Sequence, residues 1–279
     1  LRRQRQMCIR DRYMLIRRGT GSPLACLGGT IMSLDTEFDP SEGLISPDYE
    51  KLDLQLPERA VYAFLSEARI GSYIEIRGGK LIGHLPTTMK NIPIWIVNDD
   101  GEDVAVMEAP LGAPASVITQ ERLFAYGVEK MLMISCCGTL VDMPENTFLP
   151  VERAYRDEGT SAHYMPASHF IELDPKPLSK IEALFMDLGI SVEPCTTWTT
   201  DAFFRETRNK VEMRKAQGCQ VVDMACSALA ACARFRHKEF AEILFTTDTL
   251  ATVSHDVLTW GREARNAALN LALMAIRRI

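Results

Sequence analysis

The second half of the chain alternates two kinds of apolar pattern. Short continuous apolar runs at Lys130–Ser135, Phe148–Tyr155, Ile190–Thr197, Gln220–Met224 and Phe240–Thr246 read as buried strands. Between them lie segments with helical spacing or small-residue content. These are Leu178–Leu188, closed by Gly189, the charged Arg205–Ala216, and the small-residue run Cys226–Ala231. A final helix is expected over Ser254–Ile279. Ser254 is its N-cap, and its apolar stripe runs through Val257, Ala264, Ala268, Leu271, Met274 and Ala275. In the first half a helix is expected at Val61–Ala68. Four short strands follow at Ser72–Ile76, Lys80–His84, Ile92–Val97 and Val104–Glu108, separated by Gly78-Gly79, Pro86 and Asn98-Asp99-Asp100-Gly101. Pro110–Ser116 then opens a helix to about Tyr126. This alternation predicts a single α/β domain with a mixed, largely parallel central sheet flanked by helices.

Composition narrows the setting. The chain has 279 residues and is 47% hydrophobic, which suits one α/β domain with a full core. No run of 18 apolar residues occurs, so no transmembrane helix is expected. The eight Cys form no CxxC pair and share no ligand spacing with the five His. The expectation is reduced, buried thiols in a cytoplasmic protein, with no metal site.

Arg2–Arg12 (RRQRQMCIRDR) back-translates without a gap onto the transposase adapter used to build sequencing libraries. Residues 1–12 are therefore read as translated adapter, 13–31 as untranslated leader before Met32, and 32–55 as an acidic N-terminal arm ahead of the domain at 56–279. Residues 1–31 hold seven Arg and one Asp. With a formal total of −6, the remainder carries −12. An acidic body of that size argues against nucleic acid or an anionic membrane as partner.

Candidate chemistry gathers in Trp198–Ala231, where an aromatic, Thr-rich segment with one acid, Asp201, precedes a strand-to-helix crossing. Such crossings present side chains and backbone donors to ligands in open α/β sheets. The Gly/Pro turn at Pro110–Pro114, with Gly112, leaves helix N–H groups free for an anion. Asp248 ends a strand on the ligand side. Two readings stay open for His163, proton transfer or loop packing, and two for Asp248, ligand contact or turn cap.

Asp201-Ala202-Phe203-Phe204, then Gly218, then Val222-Asp223-Met224-Ala225-Cys226-Ser227-Ala228 resembles the nucleoside phosphorylase superfamily in its uridine/purine branch. There, Asp-x-Phe-Tyr and a Gly precede Val-Glu-Met-Glu-x-x-Ala. The loop Arg156–Tyr164 is also similar, and the resemblance runs from about Leu56 to the C-terminus. It implies phosphorolysis of a nucleoside, uridine or a purine, to free base and ribose 1-phosphate. Inorganic phosphate is the co-substrate, no other cofactor is needed, and assembly is as a homodimer or homohexamer.

The resemblance assigns the base to Phe203, Thr199 and Arg205, with Asp248 as catalytic donor. It assigns the ribose to Met224 and Asp223, and phosphate to Gly112, Cys136, Gly138 and Arg59. Two positions depart from the pattern. Ala225 stands where the family has its ribose-binding Glu, and Met133 where it has a phosphate-binding Arg. The Gln-x-Arg pair of the pyrimidine branch is absent after Phe203. The departures keep two alternatives open: a nucleosidase using water, and a nucleoside-binding homologue without turnover.

Overall fold

A computed structural model describes residues 38–190, 193–252 and 254–279, all within one compact unit. Residues 1–37, which hold the expected adapter and leader segments and the first residues of the expected arm, lie outside the described residues.

The first apolar run is a strand, not the expected helix. Arg59–Ala63 (β1) lies between two parallel neighbours and is buried on both faces, which suits the continuous run Ala-Val-Tyr-Ala. The helix begins after it, at Glu67–Ile76 (α1), with Ser66 at its N-cap. Ser72–Ile76, expected as a strand, is the last part of that helix. Its Ile74 is buried one turn beyond Ile70, so the period is helical.

Three strands follow, Lys80–Pro86 (β2), Asn91–Asp99 (β3) and Glu102–Glu108 (β4), and then the helix Ala113–Ala125 (α2). Next come Lys130–Thr139 (β5), Phe148–Asp157 (β6), Phe170–Glu172 (β7) and the helix Pro175–Asp187 (α3). The strand expected at Ile190–Thr197 falls at Cys195–Thr200 (β8). The chain closes with Arg208–Ala216 (α4), Val221–Asp223 (β9), Cys226–Phe235 (α5), Glu239–Thr249 (β10) and Arg262–Ile276 (α6).

The ten strands form one mixed sheet. Parallel pairs β4–β1–β5–β10 and β6–β8–β9 hold its centre. Antiparallel pairs add β2 and β3 on one side, and close β5, β10, β6, β8 and β9 into a ring. One apolar layer packs Tyr62, Met131, Met133 and Leu244 against α2 and α5. The other packs Val61, Leu132, Ile134 and Ile243 against α3 and α6. Seven of the ten residues of helix α5 are Ala, Ser or Cys, and eight are buried, so it lies close on the sheet.

The final helix is shorter than expected. It starts at Arg262, with Gly261 at its N-cap in a left-handed conformation. Strand β10 runs on to Thr249, and Asp256 pairs back onto it through two backbone hydrogen bonds of 2.9 and 3.0 Å. The segment before α6 is thus a loop, and Val257 lies half-exposed, off the stripe. Glu145 pins this loop, accepting from the Thr259 N–H, the Thr259 hydroxyl and the Gly261 N–H at 2.7–2.9 Å.

Candidate active site

A cleft of about 680 Å³ opens at the C-terminal ends of β5, β9 and β10. Loops after β1, β4 and β8 complete it, bringing Phe64, Gly112 and Phe203 to the same space. This is the side of an open α/β sheet where ligands bind.

Of the ten residues assigned from the sequence, eight line this cleft: Gly112, Cys136, Gly138, Phe203, Arg205, Asp223, Met224 and Asp248. Two do not. Arg59 opens β1 level with Lys130, six residues before Cys136 along the neighbouring strand, which is about 20 Å away. Its guanidinium pairs with Glu102 at 3.4 Å. Thr199 is fully buried one layer behind the wall, where its hydroxyl donates to Asp223 Oδ1 at 2.8 Å and accepts from the Ser227 N–H at 3.1 Å. It supports the wall and does not line the cleft.

Asp223 is itself held inward. Its carboxylate accepts from the hydroxyls of Thr197 and Thr199 and from the N–H groups of Ala225 and Cys226, at 2.7–2.9 Å. It caps the start of α5 and so fixes Met224 on the cleft wall. Burial pushes its carboxyl up, and these four donors pull against that. All four bonds go to protein groups, which leaves little capacity for ribose hydroxyls.

Asp248 is 6% exposed. Its Oδ1 accepts from the Thr247 hydroxyl at 2.7 Å, and its Oδ2 lies 3.0 Å from His255 Nε2. Gly138 makes room for it. A Cβ there would come within 3.2 Å of Val222 Cγ1 and 3.5 Å of Asp248 Oδ2. Gly112, at φ +87°, holds the turn into α2 in a conformation that side-chain-bearing residues rarely adopt.

Phe203 is 38% exposed, with its ring edge-on to Phe204 and to His255, at centroid distances of 5.1 and 6.4 Å. Trp260 lies 6.0 Å from His255, centroid to centroid. The loop Arg156–Tyr164 reaches the site through Asp201, whose Oδ2 accepts from the Gly159 N–H at 3.0 Å. His163, in a 3₁₀ turn of that loop, is exposed and does not line the cleft.

Four side chains at the cleft were not expected from the sequence: Glu206, His255, Trp260 and Arg265. Glu206, Trp260 and Arg265 line the cleft, and His255 contacts Asp248. Partial burial and the charge of Asp248 push the Glu206 carboxyl up to about 7, with Lys210 opposing. Arg265 lies beside Cys136. Burial raises that thiol, and the Arg265 charge partly opposes the rise. The two departures, Met133 and Ala225, both sit on the cleft wall and give it apolar surface where the resemblance expects charge. Among the described residues, no group of three or more His, Cys, Asp or Glu could hold a metal ion.

The sequence profile described as "Phosphorylase superfamily" matches residues 45–277. The chain belongs to the phosphorylase superfamily. Within this superfamily, the structure of uridine phosphorylase from Vibrio fischeri is similar, with a TM-score of 0.69 at 18% identity over 80% of this chain and 92% of that one. Purine nucleoside phosphorylase from Toxoplasma gondii in complex with immucillin-H gives 0.68 at 18% identity over 81% and 90%. At that identity the likeness is one of fold. An uncharacterized protein of Acanthamoeba polyphaga mimivirus is 30% identical over 123 residues, which is 43% of this chain. The chain thus spans about half the length (47%) of that relative. No helix among the described residues is long and apolar enough to cross a membrane.

Proposed function

We propose that the cleft takes a nucleoside and that the protein cleaves its glycosidic bond with inorganic phosphate, releasing the base and ribose 1-phosphate. The observation that carries this reading is the convergence of four groups on one cleft: the Phe203 ring, the Met224 floor, the Asp248–His255 pair and the Arg265 guanidinium beside Cys136. An aromatic face suits the base and a thioether floor suits the sugar. A guanidinium makes strong charge-assisted contacts with phosphate, and Arg265 brings one to the wall that Met133 leaves uncharged.

A second reading rests on Met133 and Ala225. With both positions apolar, the alternatives are that water replaces phosphate as the nucleophile or that the site binds a nucleoside without turnover. Base release from uridine, thymidine, inosine, adenosine and their 2′-deoxy forms, with and without phosphate, separates the three. Release only with phosphate supports phosphorolysis, equal release without it supports hydrolysis, and none at all from folded protein leaves a binding protein.

A homodimer or larger assembly belongs to the same proposal. Leu111, Phe204 and Trp260 are exposed around the cleft, and a second copy would cover them. The six described cysteines are all free, which suits a reducing, cytoplasmic setting.

A further inference from the structure

Glu206 and Asp248 face one cleft but sit in different environments. Asp248 is almost fully buried, and both of its oxygens are engaged, one by the Thr247 hydroxyl and the other by His255. Glu206 follows the 3₁₀ turn Phe203–Arg205, is partly buried, and among the described residues its carboxyl has no hydrogen-bond partner. It directly follows the loop that carries the exposed Phe203 ring.

The charged groups around Glu206 come from several elements. Asp201 and Arg205 belong to its own loop, Lys210 to α4, Asp223 to β9, Asp248 to β10, and His255 and Arg265 to the chain beyond β10. Burial is the first cause that keeps a proton on Glu206, the charge of Asp248 is the second, and Lys210 opposes both. A carboxyl that burial keeps protonated on the wall of a cleft is suited to the role of general acid.

We propose that Glu206 is the proton donor to the departing base, and that Asp248, fixed on the same cleft by Thr247 and His255, is its positioning residue. The inference rests on the reading of the cleft as a nucleoside site. As the C1′–N bond breaks, its electron pair goes to the base nitrogen, which takes the Glu206 proton. The new C1′–O bond forms to phosphate or water. The proton lost by that nucleophile returns to Glu206 through solvent, so the cycle closes without another reagent.

The test compares the wild-type protein with Glu206→Gln and Asp248→Asn on two substrates. One is the nucleoside that the panel identifies. The other is 4-nitrophenyl riboside, whose leaving group departs as a phenolate and needs no proton. Glu206→Gln is expected to lower kcat/KM on the nucleoside by about 10²–10⁴-fold and to abolish the fall of activity above neutral pH. On the activated riboside the loss should stay under about tenfold. Asp248→Asn should move the alkaline limb of the nucleoside pH profile to lower pH. Glu206→Gln retaining nucleoside turnover with its alkaline limb intact would overturn the assignment alone. Equal loss on both substrates would also overturn it, because it marks a structural role. A wild-type protein silent on both substrates would overturn the nucleoside reading and this inference with it.

Discussion

The Thr199 hydroxyl lies 2.8 Å from Asp223 Oδ1, one layer behind the cleft wall. It joins β8 to the start of α5 and holds Met224 indirectly. Thr199→Val removes this bond and the acceptor for the Ser227 N–H. A loss of about 1–3 kcal/mol in chemical denaturation is expected. Asp223→Ala should cost more, since four donors lose their acceptor together. If Thr199 contacted a base, Thr199→Val would instead alter base preference at unchanged stability.

Arg265 makes a separate prediction. Arg265→Met should raise the KM for phosphate at least about tenfold, the scale of one lost charge-assisted hydrogen bond. Nucleoside affinity measured without phosphate should change little. An unchanged phosphate KM would remove Arg265 from the phosphate site.

Glu242, in the middle of β10 opposite Met133, is 1% exposed, and neither carboxyl oxygen has a hydrogen-bond partner. Burial, then the charge of Asp223, holds its carboxyl well above the ordinary value of 4.5, with the neighbouring Cys226 thiol opposing. The folded state therefore binds a proton that the unfolded chain releases above that value. The contribution of this group to stability is fully present below pH 4.5 and is lost as pH rises toward the folded-state value. Glu242→Met should stabilise the protein by about 1–3 kcal/mol at pH 8, with a smaller gain at pH 5. Paired denaturation curves at the two values check both the sign and the trend.

Ala225 is 7% exposed and lines the cleft beside Met224. Ala225→Glu would place a carboxylate where the superfamily pattern has one. The expected result is a preference for ribo- over 2′-deoxyribonucleosides that rises about tenfold, read as a ratio of kcat/KM values. No change in that ratio would mean that position 225 does not face the ribose.

The parallel centre of the sheet was legible in the sequence because strands buried on both faces are written as continuous apolar runs. Lys130–Ser135 and Phe240–Thr246 both carry that signal, and both are strands in the structure. Val61–Ala68 misled because a short run containing two alanines suits either state, and only its parallel neighbours β4 and β5 decide it. Ser72–Ile76 misled by its alternation. The pattern reads as period two, whereas the buried pair is Ile70 and Ile74.

The site divides in the same way. Phe203, Met224, Asp248 and Gly138 sit in local motifs and were visible as such. Glu206 and Arg265 were not, since their character comes from distant neighbours: burial and then Asp248 raise the first, and the second lies beside Cys136. His255 and Trp260 were hidden by the expectation of a helix from Ser254. The lack of apolar periodicity between Ser254 and Gly261 was the available signal for a loop there.

Strand β10 shifts register against β5 between Thr246 and Asp248. Before the shift, Phe240 and Leu244 face the α5 layer while Ala241, Ile243 and Phe245 face the α6 layer. Regular alternation would send Asp248 the way of Leu244. The shift pairs it with Gly138 instead, over whose bare backbone its carboxylate lies. A single inserted residue thus acts as a frame change written in the strand itself. The first part of β10 can be repacked by substitution without turning the acid away, whereas straightening the bulge with all of its residues kept would move Asp248 off Gly138 and turn it to the opposite face.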